Sequence, residues 1–341
     1  MNTTPKNATP KAPNQRLAPK PFNAAPKGLW RATPLAIFPP ILGLFGIGLA
    51  WRAAAAHLGA PAWIGEMILG AVSLLYIFAG IAYKAKLARR PSAVLDDAKI
   101  LPGRAGLSAM TASMFLFAAT LVPYWTLGAN IVLFAGLLAH AAGAIIIIRS
   151  LILGPAEQRR VTPVWHLSFV GFIIAPVAAV PLGWVDLSVI IYATTLPIAV
   201  AIWLISALQF MRAGVPAPLR PLLAIHMAPV SLFGIVSVLL GYYAIGFAFG
   251  WIGLTGLVVC IAGARYLTQS GFSPLWGAFT FPMAAFANLM FMVALIMPIP
   301  FRYVGGVELA LATLAVCYIA YRVMQMWMKG SLSKLTNASS V

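Results

Sequence analysis

The sequence predicts an all-α polytopic membrane protein: ten transmembrane helices arranged as five helical hairpins around a central pore. Three observations carry that prediction. Hydrophobic residues make up 62% of the 341-residue chain and charged ones 9%, against roughly a quarter charged in soluble domains. Ten apolar stretches follow one another with little chain between them. Finally, Pro176, Pro229 and Pro282 sit mid-way along three of those stretches, each 53 residues from the next. Their surroundings rhyme: IIAPVAAV at 173–180, HMAPVSLF at 226–233 and TFPMAAFA at 280–287.

The elements follow in order. Residues 1–33 are rich in Pro, Lys, Asn and Ala, with no acid and no apolar run, and are expected to form a disordered basic cytoplasmic tail. They lack the apolar core of a secretory signal. A span needs about 20 apolar residues to cross a hydrocarbon core of about 30 Å. Such stretches run over 34–51, 63–83, 104–122, 126–152, 164–184, 187–210, 220–241, 244–267, 275–297 and 304–327. Residues 34–327 therefore form one ten-span pore domain, and 328–341 a short cytoplasmic C-terminal tail. A soluble protein of this size would need polar faces on its outer helices; IVLFAGLLAHAAGAIIIIRSLIL at 131–153 has none.

The net charge of +17 orients the chain. Twenty-one of the 23 basic residues fall in the N-terminal tail, the loops on that same side and the C-terminal end, while the opposite side holds only Arg52 and Arg302. The positive-inside rule then puts both termini in the cytoplasm, as expected for the inner (plasma) membrane. The same placement argues against nucleic acid as the partner of the positive charge.

Short outer connections, PYWT at 123–126, GWVD at 183–186 and GYYAIG at 241–246, force antiparallel neighbours and hence hairpins. The three spaced prolines share one direction through the bilayer, as in parallel repeats about an axis along the membrane normal. Breakers concentrate in odd-numbered spans: Pro39 and Pro40 with Gly43, Gly46 and Gly48 in span one, Gly171, Pro176 and Pro181 in span five, Pro229 and Gly234 in span seven, Pro282 in span nine. Span three has no mid-span proline but carries SAMTAS at 108–113, and Pro197 in span six is the exception among even spans. Proline removes a backbone donor, so Pro40, Pro176, Pro229 and Pro282 are expected to kink their helices and shape a pore. The carbonyls freed at membrane depth need protein or a water-filled cavity around them.

The chemistry of that pathway is read from what lines the odd spans. Of the six acids, Asp96, Asp97 and Glu157 belong to cytoplasmic loops and Asp186 to an outer turn, with Glu66 and Glu308 placed near the outer ends of spans two and ten. A cation pathway calls for intramembrane carboxylates, so their absence from the odd spans favours a weakly hydrated anion. Candidate pore-lining hydroxyls are Ser113, Ser231 and Thr280, with Ser108 and Thr111 beside them, although such groups commonly bond to their own helix. His140, His166 and His226 fall in or near spans four, five and seven. Paired intramembrane histidines can ligate haem, but no span carries two, and polar contacts are the expectation. Phosphate loops, metal-ligand clusters and catalytic motifs are absent from the sequence. No enzyme activity, cofactor or metal is expected. Cys260 and Cys317 lie within spans and suggest no disulfide.

WGAFTFPMAAFAN at 276–288 resembles the ninth span of the tellurite-resistance/dicarboxylate transporter family, which includes bacterial TehA and the plant guard-cell slow anion channels. LLAIHMAPVSLFG at 222–234 is similar to that family's seventh span and LGLFGIGLAW at 42–51 to its first. The resemblance covers roughly 34–327. It implies a homotrimer in which each protomer has its own pore, formed by the five odd helices, and small inorganic or organic anions as the transported partners. It also implies a phenylalanine that plugs the pore, matched here through AFTFPM by Phe281. Channel members of the family pass anions that shed water easily. Others carry C4-dicarboxylates or export sulfite, and the bacterial name reflects tellurite resistance. An anion channel or channel-like transporter is thus the leading expectation, and a coupled carrier or exporter for dicarboxylate, sulfite or tellurite the alternative. The long basic tail and the missing proline in span three depart from the family pattern.

Overall fold

The computed structural model describes residues 28–341. Helix α1, Phe38–Leu58, follows a 3-10 turn at Leu35–Ile37, so Pro39 and Pro40 occupy its first turn. There a missing N–H costs no intrahelical bond. The helix stops at Gly59, whose φ of 68° is the left-handed conformation that favours glycine. After it come α2, Ala62–Arg89, the short α3, Ala93–Asp97, then α4, Leu101–Leu121, and α5, Thr126–Leu153.

The fifth expected span is not a continuous α-helix. It is a π turn at His166–Val170, a 3-10 turn at Gly171–Ile174 and a single α turn, α6, at Pro176–Ala179. The cause is local. Pro176 has no N–H to offer the Phe172 carbonyl, which instead accepts from Ala175 N–H at 2.9 Å, the tighter i→i+3 pattern. Gly171 is needed because a Cβ there would come within 2.8 Å of His140 Nε2.

Helix α7 spans Val185–Ala213. A long 3-10 run, Ala217–His226, leads into α8, Met227–Leu239, and α9, Tyr243–Ala262, follows. Beyond α10, Ala264–Leu267, and a 3-10 turn at Pro274–Trp276 come α11, Gly277–Ala294, α12, Pro298–Met328, and α13, Ser331–Leu335. Among the described residues, nine helices are long and apolar enough to cross a membrane, and the broken His166–Ala179 segment is a shorter apolar piece beside them. Of the ten expected transmembrane helices, nine are of that length among the described residues and the fifth is this interrupted segment.

α1 packs on α4, α4 on the broken segment, the broken segment on α8, α8 on α11, and α11 back on α1. These contacts close a circuit. α2 lies against α1, α5 against α4, α7 against the broken segment, α9 against α8 and α12 against α11. Close approach within the circuit depends on small residues. A Cβ at Gly43 would sit 2.4 Å from Thr280 Cβ and 2.8 Å from its backbone carbonyl carbon.

The end of the bundle that carries the chain termini is tied by a buried charge pair. Lys86 Nζ of α2 meets Asp97 Oδ2 at 2.8 Å, both side chains being almost fully buried. Tyr83 Oη donates to the same oxygen and the Ser339 backbone N–H to Oδ1, while Lys86 also donates to the Thr33 carbonyl. Of the expected tail, 1–27 lie outside the described residues. Its last residues run against the body, with Arg89 donating to the Leu29 carbonyl and Val341 N–H to the Arg31 carbonyl.

Candidate functional site

Two cavities lie along the axis of the five-membered circuit. The one toward the chain termini, labelled cytoplasmic after the orientation expected from the sequence, encloses about 770 Å³, its open mouth included, and is lined by Pro39 and Leu42 of α1, Pro102 and Ala105 of α4, His166 and Gly171 of the broken segment, Pro229 and Leu232 of α8, and Phe281 and Pro282 of α11. The other, labelled outer on the same expectation, encloses about 800 Å³, its mouth included, between Gly46 and Arg52 of α1, Leu116 of α4, Val177 of α6, Leu232 and Leu239 of α8, and Phe281, Ala285 and Asn288 of α11. Every member of the circuit contributes to both. Two side chains line both cavities, Phe281 and Leu232, and they are 6% and 4% exposed. Gly46 lies beside the Phe281 ring and lets α1 and α11 approach closely: a Cβ there would lie 2.8 Å from Ala284 Cβ.

The prolines divide into three settings. Pro40 stands in the first turn of α1 and packs beside Gly277. Pro176 opens α6 and Pro229 is the third residue of α8, so each marks the point where tighter or wider winding gives way to α. Pro282 alone of the four lies inside an α-helix, one residue past Phe281. Pro229 and Pro282 line the cytoplasmic cavity; Pro40 and Pro176 line neither.

The hydroxyls predicted for the pathway are engaged elsewhere. Ser113 Oγ donates to the Ala109 carbonyl, Ser231 Oγ to the Met227 carbonyl, and Thr280 Oγ1 to the carbonyls of Gly277 and Pro39. None of the three is among the residues lining either cavity. Ser108 pairs with Ser168 at 2.8 Å and Thr111 with His140 Nδ1 at 2.7 Å, both buried. His166 Nε2 and His226 Nδ1 face each other at 3.0 Å, with His166 at the wall of the cytoplasmic cavity.

Sequence reasoning missed three lining residues. Arg52 is the only charged side chain lining the outer cavity. Its Nε and Nη2 each donate to a different Glu66 oxygen at 2.7 Å, a bidentate pair. Nη1 reaches the Ala119 carbonyl, and Glu66 accepts further from Tyr124 Oη at 2.7 Å, which pushes the Tyr124 phenol up. Asn288 spends its amide N–H groups on the Gly46 and Ala284 carbonyls. Leu232 carried no signal at all, being one leucine on an apolar helix. Among the described residues no carboxylate lines either cavity, so their walls are mainly apolar, with one guanidinium that is already paired to Glu66.

A closed circuit of broken and glycine-rich helices, jacketed by long apolar ones and hollow on both sides of a buried phenylalanine, defines a multi-pass membrane protein with cavities on its axis. The model of the voltage-dependent anion channel family matches residues 32–324. The chain belongs to that family, and with it to the anion channels and transporters. No curated protein matches the chain.

Proposed function

We propose that the protein is an anion channel, or channel-like anion transporter, of the cytoplasmic membrane, conducting along the axis shared by the two cavities and occluded by Phe281 with Leu232 beside it. The observation that carries this reading is the position of Phe281 as a wall of both cavities. Removing a phenyl group there joins two hollow spaces, whereas elsewhere in a core it would only leave a void. The five inner segments form the pore, each with its outer helix as a hairpin, the broken segment with α7 included. The absence of acids from the lining suits anions over cations. Both termini are cytoplasmic, and the assembly is a homotrimer with one pore per protomer.

Electrical recording from purified protein in liposomes under a potassium chloride gradient tests the reading. Steady current reversing near the chloride potential is expected; reversal near the potassium potential rejects it. A coupled carrier is the second reading, favoured by one observation: His166, the one titratable group on the cytoplasmic cavity wall, pairs with His226 and has an unpartnered Nδ1. Electrical silence with anion uptake driven by a proton gradient would establish it. A periplasm-active reporter fused after Val341 is expected to stay inactive.

A further inference from the structure

Glu308 lies on α12, ten residues from the outer end of that helix at Pro298. Ile299, with φ −111° and ψ 129°, breaks the first turn, so regular helix runs from Pro300 and Glu308 stands about 12 Å along it. Its side chain shares a cavity wall with Pro282 and is 6% exposed, with no hydrogen bond or ion pair from any described residue. It forms part of a third cavity, about 890 Å³ with its mouth, on the side of α11 away from the axis. Met227, Leu257, Phe279, Met283 and Phe286 supply its apolar walls.

A carboxyl group at this depth is costly to leave without a partner, and ionisable groups within spans are the places where function is sought. Among the described residues no second carboxylate and no basic side chain line the cavity, and its other polar side chains are Cys260 and Thr268. A metal ion finds one carboxylate there, and among the described residues no group of three or more His, Cys, Asp or Glu could hold one. A phospholipid headgroup would bring its phosphate against the carboxylate with nothing to neutralise it. What fits both the walls and the single acid is a hydrocarbon chain ending in an ammonium, whose N–H groups make charge-assisted bonds to a carboxylate while the chain covers the apolar surface.

We propose that this cavity is a binding site for a hydrophobic primary amine, with Glu308 as its counter-ion. Binding does not depend on where anions cross, so the site stands or falls independently of the pore.

Dodecylamine is the probe, with dodecanol as the chain-matched control, titrated into the full-length protein in lipid nanodiscs. Binding is read by native mass spectrometry and by the shift in unfolding midpoint. The wild type is expected to bind dodecylamine saturably and in preference to dodecanol. Glu308→Gln, which keeps the shape, is expected to weaken the amine by about tenfold or more and to leave dodecanol unchanged. Ala264→Trp keeps the acid and fills the cavity from an exposed wall position, and is expected to lose saturable amine binding as well. The proposal is overturned if the wild type shows no saturable amine binding, if dodecanol binds as tightly as the amine, or if Glu308→Gln binds the amine as well as the wild type does.

Discussion

The inner and outer helices of this protein solve opposite problems. Windows of α1, α4, the Ala217–Leu239 segment and α11 are 72–78% buried; those of α2, α5, α7, α9 and α12 are 17–39% buried. In a soluble protein the buried helices would be the more apolar. Here the outer helices are strongly apolar although mostly unburied, because their solvent is lipid, and the inner segments hold most of the prolines. Burial inside the bundle lets backbone groups released by prolines find partners that lipid cannot supply. The residues that shape a hollow axis are therefore affordable only on the inner circuit.

The sharpest test of this contrast compares two phenylalanines on one inner helix. Phe281 borders both axial cavities, while Phe279 borders the amine-site cavity behind α11. Phe281→Ala is expected to raise anion flux at least about tenfold, a barrier lower by ~1.4 kcal/mol. Phe279→Ala is expected to cost stability without opening a path. Equal flux in two folded variants would remove Phe281 from the pathway.

Lys86 of the outer helix α2 is buried against Asp97, a charge that has its partner. Lys86→Met leaves that carboxylate without its counter-charge and is expected to cost about 3–5 kcal/mol, as breaking a buried pair does. Adding Asp97→Asn should restore part of the loss. Thermal unfolding in detergent measures both, and a single variant as stable as wild type would show that the pair is dispensable.

Two glycines, one facing into the circuit and one facing away from the bundle, are expected to respond with opposite signs. Gly43→Ala drives a Cβ into Thr280 on the inner circuit and is expected to destabilise by about 1–3 kcal/mol. Gly70 of α2 has open space around the same position, so Gly70→Ala should gain up to ~1 kcal/mol of helix propensity. Two losses of similar size would mean that the outer surface is itself packed against something.

The smallest effect lies in the loop outside the bundle. Asp96, half-exposed on α3, is held below the usual carboxylate range by its hydrogen bond from Lys99, helped by the charges of Lys99 and Arg90. A depressed acid stabilises the fold above its unfolded value of about 3.9 and loses that contribution as pH falls through its lower folded value. Being near the surface, it is worth at most ~1 kcal/mol. Asp96→Asn should therefore lower the unfolding midpoint slightly at neutral pH, and the difference should vanish in strong acid.

Much of this was legible in the residues. Apolar runs, basic asymmetry and the 53-residue spacing of Pro176, Pro229 and Pro282 predict a multi-pass helical membrane protein with its breakers on alternate spans. The string around Phe281 resembled the family that the chain belongs to. The pathway hydroxyls were harder to read. Ser113, Ser231 and Thr280 have the right chemistry on the right helices, but a hydroxyl in a helix has a carbonyl one turn back within reach, and which partner it takes is a matter of rotamer and neighbour.

The amino-acid sequence by itself determined which segments face lipid and where helices must break, since both follow from hydropathy and the missing proline N–H. Only the tertiary structure decided that Leu232 joins Phe281 between two cavities, that Arg52 lines the outer one while bound to Glu66, and that Glu308 lies deep behind α11. Those facts depend on the rotation and depth of each helix against its neighbours. Periodicity along a uniformly apolar segment carries no such information, because every face of it is equally acceptable to lipid or to protein.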